Sequence, residues 1–211
     1  IIERLREVLP EAGFITEEGT VASSEQSLQW VIDPLDGTTN FVHGLPIYSV
    51  SLALVRDKQA ILGVVYEVNR DECFHAIKGK GAFCNGKPIR VSSATQINES
   101  LLATGFPYND FGKMMPYLNI LNELMKSSHG LRRMGSAAVD LAYVACGRFE
   151  AFFEFNLNSW DVAAGVLLVT EAGGTVTDFK GGDNYIFGRE LIAGCGIQSE
   201  LLGTIKKFWL D

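Results

Sequence analysis

Two carboxylates three residues apart, at the end of an apolar run, are the side chains with the clearest chemical potential in this chain. Asp33 ends the run at residues 30–32, and Asp36 follows across Pro34. Because proline fixes φ and has no N–H, we expect the strand to stop at Pro34 and turn. Like charges held this close need a neutralising cation, and a hard divalent ion with oxygen ligands supplies one. A plain polar turn is the competing interpretation, since these residue types are common turn formers.

Two more carboxylate clusters lie elsewhere in the chain. Glu17 and Glu18 follow a short apolar run. Neighbouring side chains of an extended segment point to opposite faces, so only one of the two can face a common site. Asp161 falls in the first turn of a predicted helix capped by Asn158 or Ser159, where the helix dipole favours an anion. That structural role is enough to explain Asp161, and spacing alone does not show that the clusters converge.

Taken in order, these clusters resemble the motifs of the inositol monophosphatase family. The paired glutamates, the segment 33–41 (Asp-Pro-Leu-Asp-Gly-Thr-Thr-Asn-Phe) and the segment 160–165 (Trp-Asp-Val-Ala-Ala-Gly) match the family signatures in sequence order. The resemblance runs from about residue 1 to the C-terminus. Further blocks that resemble the family lie at residues 104–108, 133–138 and 171–174.

The resemblance implies a Mg²⁺-dependent, lithium-sensitive phosphatase with two to three Mg²⁺ ions. Glu17, Asp33 and the carbonyl of Leu35 would bind the first ion. Asp33, Asp36 and Asp161 would bind the second, with Asp33 bridging the two. A third, weaker ion would share Glu17. Two such ions suit in-line displacement at phosphorus, because they stabilise the attacking and departing oxygens.

The same resemblance assigns the catalytic and substrate-binding residues. Water polarised by Glu17 and Thr38 would be the nucleophile, without a phosphoenzyme. The backbone N–H groups of Gly37 and Thr38 suit the phosphate oxygens. Ser136 has a second possible role as a helix N-cap. The implied substrate-binding residues are Asp36, Gly37, Thr38, Gly135, Ser136, Ala137, Glu154 and Asp161.

Two departures from the family pattern give specific expectations. Family members usually have several dozen residues before the position of Ile1, which supply N-terminal helices and an aspartate that hydrogen-bonds the reactive threonine. We therefore expect the N-terminal helices to be missing and Thr38 to lack its carboxylate partner. In addition, Asn158 stands where some relatives carry a basic residue near the substrate, which puts the sugar specificity in question.

Composition agrees with a compact enzyme. The chain has 211 residues, of which 47% are hydrophobic, and its 25 acidic and 18 basic residues give a net charge of −7. This charge argues against nucleic acid or an anionic membrane as a partner. Four scattered cysteines, without a C-x-x-C pair, a signal peptide or an apolar stretch of about 18 residues, predict a cytoplasmic protein with no membrane span. The expected partner is a small phosphorylated substrate, and the expected assembly is a homodimer.

The order of elements predicts an α/β (α+β) fold in which strands come first and then alternate with helices. The resemblance implies an α-β-α-β-α sandwich, as a single domain over residues 1–211. An antiparallel-sheet, metal-binding lobe would take residues 1–100, and an α/β lobe residues 101–211. We expect a tight hairpin turn at Asn85 and Gly86. Helices are predicted at 1–9, 113–128, 136–146, 160–172 and 198–210, and strands at 48–55, 60–68, 73–77, 130–134, 149–155, 174–178 and 190–193.

These observations predict Mg²⁺-dependent hydrolysis of a small phosphate monoester, with myo-inositol monophosphate as the leading substrate. Histidinol phosphate and a nucleotide 3′-phosphate are alternatives within the same reaction class. A different class, a non-catalytic partner in a protein or RNA complex, also stays open, because some bacterial relatives are found in such complexes.

Overall fold

The computed structural model describes residues 1–19, 26–107 and 111–209. Within these ranges the chain forms two β-sheets and six α-helices. Tyr108, in one of the family-like blocks, and Leu210, at the end of the last predicted helix, lie outside the described residues.

The first sheet is built from seven strands in sequence order. All neighbouring strands are antiparallel except β1 and β2, which are parallel. The predicted hairpin is confirmed: Asn85 and Gly86 have φ values of 48° and 74°, as a type I′ turn requires. The strands are β1 (Gly13–Thr16), β2 (Leu28–Asp36), β3 (Ser49–Arg56), β4 (Gln59–Glu67), β5 (Glu72–Ile77), β6 (Ala82–Cys84) and β7 (Lys87–Pro88).

The expectation that the strand stops at Pro34 is wrong. Strand β2 continues through Pro34 to Asp36. Asp33 pairs with Ser51 and Asp36 with Ser49, so the register shifts between the two aspartates. One extra residue on β2 forms a bulge, which is a place where a strand tolerates the missing N–H of proline. The bulge re-aims the side chains around it, and both aspartates stay on the strand.

The second sheet has five strands, which are numbered along the chain. Their spatial order in the sheet is β11-β12-β10-β8-β9. Strands β8, β9 and β10 are parallel, and β12 runs antiparallel to both of its neighbours. Strand β8 was not predicted. The strands are β8 (Leu101–Thr104), β9 (Gly130–Arg132), β10 (Ala151–Phe155), β11 (Thr175–Thr177) and β12 (Glu190–Gly194).

The five predicted helices are confirmed to within a residue or two at the described positions, and a short helix follows β2. Pro116 lies in the first turn of its helix, where the missing N–H breaks no intrahelical bond. The helices are α1 (Ile2–Val8), α2 (Thr38–Val42), α3 (Met114–Ser127), α4 (Ala137–Ala145), α5 (Ser159–Glu171) and α6 (Gln198–Trp209), with a 3₁₀ turn at Ile97–Glu99.

Two helices lie between the sheets and form the centre of the molecule. All nine residues of α4 are buried, and α5 packs with α4 and both sheets in one apolar cluster. Helices α3 and α6 cover the outer face of the second sheet, and α1 packs on the outer face of the first. The predicted α-β-α-β-α layering is confirmed. The proposed lobe boundary at residue 100 stays a prediction, since the central cluster takes residues from both halves.

Strand alternation decides which core each side chain joins. Val31 faces the helices between the sheets, whereas Trp30 and Ile32 face α1. Phe152 and Phe153 divide in the same way between the two faces of the second sheet. Across the described part of the chain, no helix combines the length and apolar character that crossing a membrane requires.

Candidate active site

Three aspartates from two distant parts of the chain meet in one pocket. One carboxylate oxygen from each of Asp33, Asp36 and Asp161 lies within 4.8 Å of the others. Asp33 and Asp36 are only 2% and 8% exposed, and Asp161 is half-buried. The pocket has a volume of about 360 Å³ and lies where β2 of the first sheet and β10 of the second sheet end. The convergence that spacing alone left open is therefore present in the fold.

Local backbone donors orient Asp33 and Asp161. The Leu35 N–H donates to Asp33 Oδ1 at 2.8 Å, across the bulge. Asn158 is the N-cap of α5, and its N–H donates to Asp161 Oδ2 at 2.6 Å. Asn158 and Ser159 were the two N-cap candidates from the sequence, and in the structure Asn158 is the N-cap of α5. Each carboxylate is thereby fixed at one of its two oxygens.

A long-range contact orients Asp36. Its Oδ2 accepts hydrogen bonds from the Ser136 hydroxyl and, at 2.8 Å, from the Ala138 N–H at the start of α4. The Ser136 oxygen also accepts from the Val139 N–H, so Ser136 is both the N-cap of α4 and a partner of Asp36. The helix N-terminus, where the dipole favours an anion, points at this carboxylate.

Burial is the largest cause that raises the pKa of all three carboxyls, and repulsion from neighbouring carboxylates adds to it. Burial, followed by the charge of Asp36, raises the pKa of Asp33 to about 9. Burial raises the pKa of Asp36 to about 7 although the Ser136 hydroxyl opposes it, and burial raises the pKa of Asp161 to about 6. Without a cation, the cluster holds protons that ordinary aspartates release. Hard oxygen donors this close fit Mg²⁺, so the residues present suit the ion that the sequence predicted.

Glu17, Leu35 and Thr38 also line this pocket. The Glu17 carboxylate interacts with Asp33 and contributes to its raised pKa. Glu18 instead borders a separate hollow beside α1, in line with the expected opposite orientation of the pair. The Thr38 hydroxyl donates to the Leu35 carbonyl at 2.9 Å. A carbonyl has two lone pairs, so this bond leaves the Leu35 oxygen able to take a further ligand.

Gly37 and Asn40 fix the loop after β2. Gly37 has a φ of 96°, and a Cβ there would lie 2.9 Å from the Ile47 carbonyl oxygen, so only glycine fits. The buried Asn40 amide donates to the carbonyls of Ile47 and Met134, both at 2.8 Å. Asn40 therefore ties α2 to the segment that leads into α4. Its role was not predicted, since it depends on a partner 94 residues away.

The second sheet supplies the opposite wall of the pocket. Glu154 on β10 is 9% exposed and lines the pocket, and burial raises its pKa well above the usual range. A Cβ on Gly105 would come within 2.0 Å of the Glu154 carboxyl carbon, so glycine at 105 makes room for this side chain. Gly135 and Ala137, predicted as substrate contacts, line the same pocket.

Sequence reasoning missed two arginines and a buried acid. Arg133 and Arg189 line the pocket, and the Arg133 guanidinium lies 5.8 Å from the centre of the Phe106 ring. Asp140 sits on the otherwise apolar α4, and its Oδ1 has no hydrogen-bond partner among the described residues. Burial raises the pKa of Asp140 well above its usual range, with the charge of Glu154 adding to the effect. The Asp140 position shows only as a break in an apolar run.

Comparison with known proteins places this geometry in a family. A model of the inositol monophosphatase family matches residues 1–209. Nus factor SuhB of Escherichia coli (strain K12) is 47% identical over 195 residues, which cover 92% of this chain and 73% of the relative. Inositol-1-monophosphatase of Mesorhizobium japonicum is 42% identical over 209 residues, which cover 98% of this chain and 79% of the relative. The structure of inositol monophosphatase from Anabaena (Nostoc) sp. PCC 7120 superposes with a TM-score of 0.92 at 36% identity, covering 98% of this chain and 83% of that one.

Proposed function

The chain belongs to the inositol monophosphatase family, and from this premise we propose that it hydrolyses small phosphate monoesters in the presence of Mg²⁺. Inositol monophosphate is the proposed substrate. The observation that carries the proposal is the meeting of Asp33, Asp36 and Asp161 within 4.8 Å in a pocket of substrate size. The match of residues 1–209 to the family supports it.

We assign Mg²⁺ to Glu17, Asp33, the Leu35 carbonyl, Asp36 and Asp161. Bound there, Mg²⁺ would neutralise the carboxylates and act as a Lewis acid toward the phosphate ester. The raised pKa values of the buried aspartates are consistent with a site built for a cation, because burial without neutralisation disfavours the ionised form.

The chain's own residues position water and substrate. The Thr38 hydroxyl donates a hydrogen bond to the Leu35 carbonyl, so its oxygen can accept a hydrogen bond from the attacking water. Glu17, exposed at the pocket wall beside Asp33, is placed to take a proton from that water. The N–H groups of Gly37 and Thr38 hold phosphate oxygens. On the opposite wall, the Glu154 carboxyl hydrogen-bonds a hydroxyl of the departing alcohol.

A panel of esters tests this proposal. Release of inorganic phosphate is measured from inositol 1-phosphate, histidinol phosphate and adenosine 3′-phosphate, each with Mg²⁺ and with a chelator. We expect turnover only with Mg²⁺, and the highest kcat/KM for inositol 1-phosphate. A preference for either of the other two esters would move the substrate assignment within the family. Absence of Mg²⁺-dependent release from every ester would contradict the phosphatase proposal.

A second candidate function is that of a non-catalytic partner in a protein or RNA complex. It is favoured by one observation, the name Nus factor carried by the Escherichia coli relative. The expectation from net charge that nucleic acid is not a partner gains no support from the comparisons.

We also propose a homodimer. Phe41, Val42 and Leu45 expose apolar surface beside the pocket, which a second copy of the chain could cover. Light scattering measures the mass of the assembly and so tests the homodimer.

A further inference from the structure

Arg189 is a pocket residue in a strained backbone conformation. It lies between Gly188 and the start of β12, lines the pocket, and has a φ of 67°. This left-handed region disfavours side chains with a Cβ, and glycine is the residue that adopts it freely. A non-glycine residue keeps this conformation only where the surrounding structure enforces it. The Leu157 N–H donates to the Arg189 carbonyl at 3.0 Å and helps to enforce this conformation.

Neutral amides hold the Arg189 guanidinium in place. Nη1 donates to Asn158 Oδ1 at 3.1 Å, and Nη2 donates to the side-chain oxygen of Asn156 and, at 3.4 Å, to the Asn156 carbonyl. A guanidinium has five N–H groups, so these three bonds leave Nε–H and one Nη1–H for other acceptors. In the described ranges, the two ion pairs within 4.0 Å do not involve Arg189. Its position is fixed, and no carboxylate pairs with it there.

The other pocket arginine is in a different electrostatic setting. The charge of Arg133 lowers the pKa values of the buried Asp140 and Glu154, against the larger raising effect of burial. Two acids therefore face Arg133. Arg189 instead acts on Asp161. Its positive charge lowers the pKa of Asp161, but this is the smallest of the contributing effects on that pKa. Asp161 is also a proposed ligand of Mg²⁺, so a bound ion would neutralise this acid and leave the guanidinium charge uncompensated.

Arg189 belongs to the wall that faces the departing alcohol. Asp33 and Asp36 are on β2 of the first sheet and Gly37 follows them, whereas Glu154 is on β10 of the second sheet, Asn156 follows β10 and Arg189 precedes β12. A phosphate held at the first wall directs its alcohol portion toward the second. The Asn158 side chain, at the start of α5, accepts from the arginine that precedes β12.

We infer that Arg189 is an anion receptor for the leaving group, and that the pocket accepts phosphate monoesters whose alcohol carries a carboxylate in addition to neutral polyol phosphates. Each of the two remaining N–H groups can donate to a carboxylate oxygen, and such charge-assisted hydrogen bonds are stronger than bonds to a hydroxyl. The inference rests on the proposed phosphatase function.

A matched pair of esters tests it. 2-Phosphoglycerate and 2-glycerophosphate differ only by a carboxylate in place of a hydroxymethyl group. We expect Arg189→Gln to lower kcat/KM for 2-phosphoglycerate about 10-fold or more, and for 2-glycerophosphate less than about 3-fold. Arg189→Gly should show the same selectivity while relieving the backbone strain, so the two variants separate lost recognition from lost stability. Arg56→Gln, at the exposed end of β3, is the control and should leave both values unchanged.

Calorimetric binding of the two esters, with Ca²⁺ in place of Mg²⁺, gives a readout that does not depend on turnover. Selective loss of 2-phosphoglycerate affinity in both Arg189 variants supports the inference, even for a protein without hydrolytic activity. Equal loss for both esters, with weaker inhibition by inorganic phosphate, would show that Arg189 binds the transferred phosphate and would overturn the inference. Unchanged discrimination between the esters would also overturn it. Failure of the wild-type protein to hydrolyse any ester would instead count against the proposed function.

Discussion

Replacing Asp33 by asparagine should have opposite effects on activity and on stability. The asparagine oxygen can still accept the hydrogen bond from the Leu35 N–H, so the local geometry is kept. Without metal, wild-type Asp33 must either hold a proton or repel the neighbouring carboxylates, whose oxygens lie within 4.8 Å, whereas asparagine does neither. At an effective dielectric constant of about 20, one such pair of charges repels by about 3 kcal/mol. Chelator-treated Asp33→Asn protein should therefore unfold less readily than the wild type at pH 8.

The direction of this stability change follows from the raised pKa of Asp33, which is about 9 in the folded protein against 3.8 for the ordinary residue. A group with a raised folded pKa contributes stability that is fully present below the unfolded pKa and is lost as the pH rises through the folded pKa. Wild-type protein without metal should therefore become less stable between about pH 4 and pH 9. The advantage of Asp33→Asn should be close to zero near pH 4 and reach about 3 kcal/mol by pH 8.

Thermal unfolding at pH 4.5 and pH 8, with chelator and with Mg²⁺, measures these differences. For a chain of this length, about 3 kcal/mol corresponds to a rise in Tm of about 6–12 °C. Mg²⁺ should raise the Tm of the wild type and not that of the variant. Phosphatase activity should fall more than about 100-fold, since loss of residues that merely support metal ligands costs about 10–100-fold. Asp183→Asn, at an exposed position, is the control. A variant that keeps near-normal turnover, or gains no stability in chelator at pH 8, would refute this reasoning.

Three further predictions concern the walls of the pocket and the ions. Gly105→Ala should displace the Glu154 carboxyl, because the Tyr117 hydroxyl donates to the Gly105 carbonyl at 3.0 Å and holds the backbone in place. We expect KM for inositol 1-phosphate to rise about 10-fold, and in a Glu154→Ala background the same substitution should have no further effect on KM. Ser136→Ala should lower the free energy of unfolding by about 1 kcal/mol through loss of the α4 cap, measured by urea denaturation, whereas an unchanged midpoint would show that the cap contributes nothing. Lithium at millimolar concentration should inhibit uncompetitively by replacing an ion after turnover, as the family resemblance implies, and insensitivity in steady-state assays would place the chain in another subfamily.

The sequence by itself determined the features that depend on neighbouring residues. The Asn85 and Gly86 hairpin, the helix that carries Asp161 and the acidic string around Asp33 are all local, because turn chemistry, capping and periodicity act over a few residues. The ordered motifs also determined the family, and through it the layered fold. The same local reasoning failed at Pro34, where the pairing of β2 with β3 absorbs the proline in a bulge.

The tertiary structure decided which residues meet. The sequence could not show that Asp36 is held by Ser136, 100 residues away, or that Asn40 ties α2 to the segment before α4. Arg189 reaches the pocket only because β12 pairs with β10 and brings it beside Asn158. These contacts arise from packing two sheets around α4 and α5, which joins segments far apart in the chain. Side-chain types at distant positions do not reveal that arrangement, because no local preference encodes it.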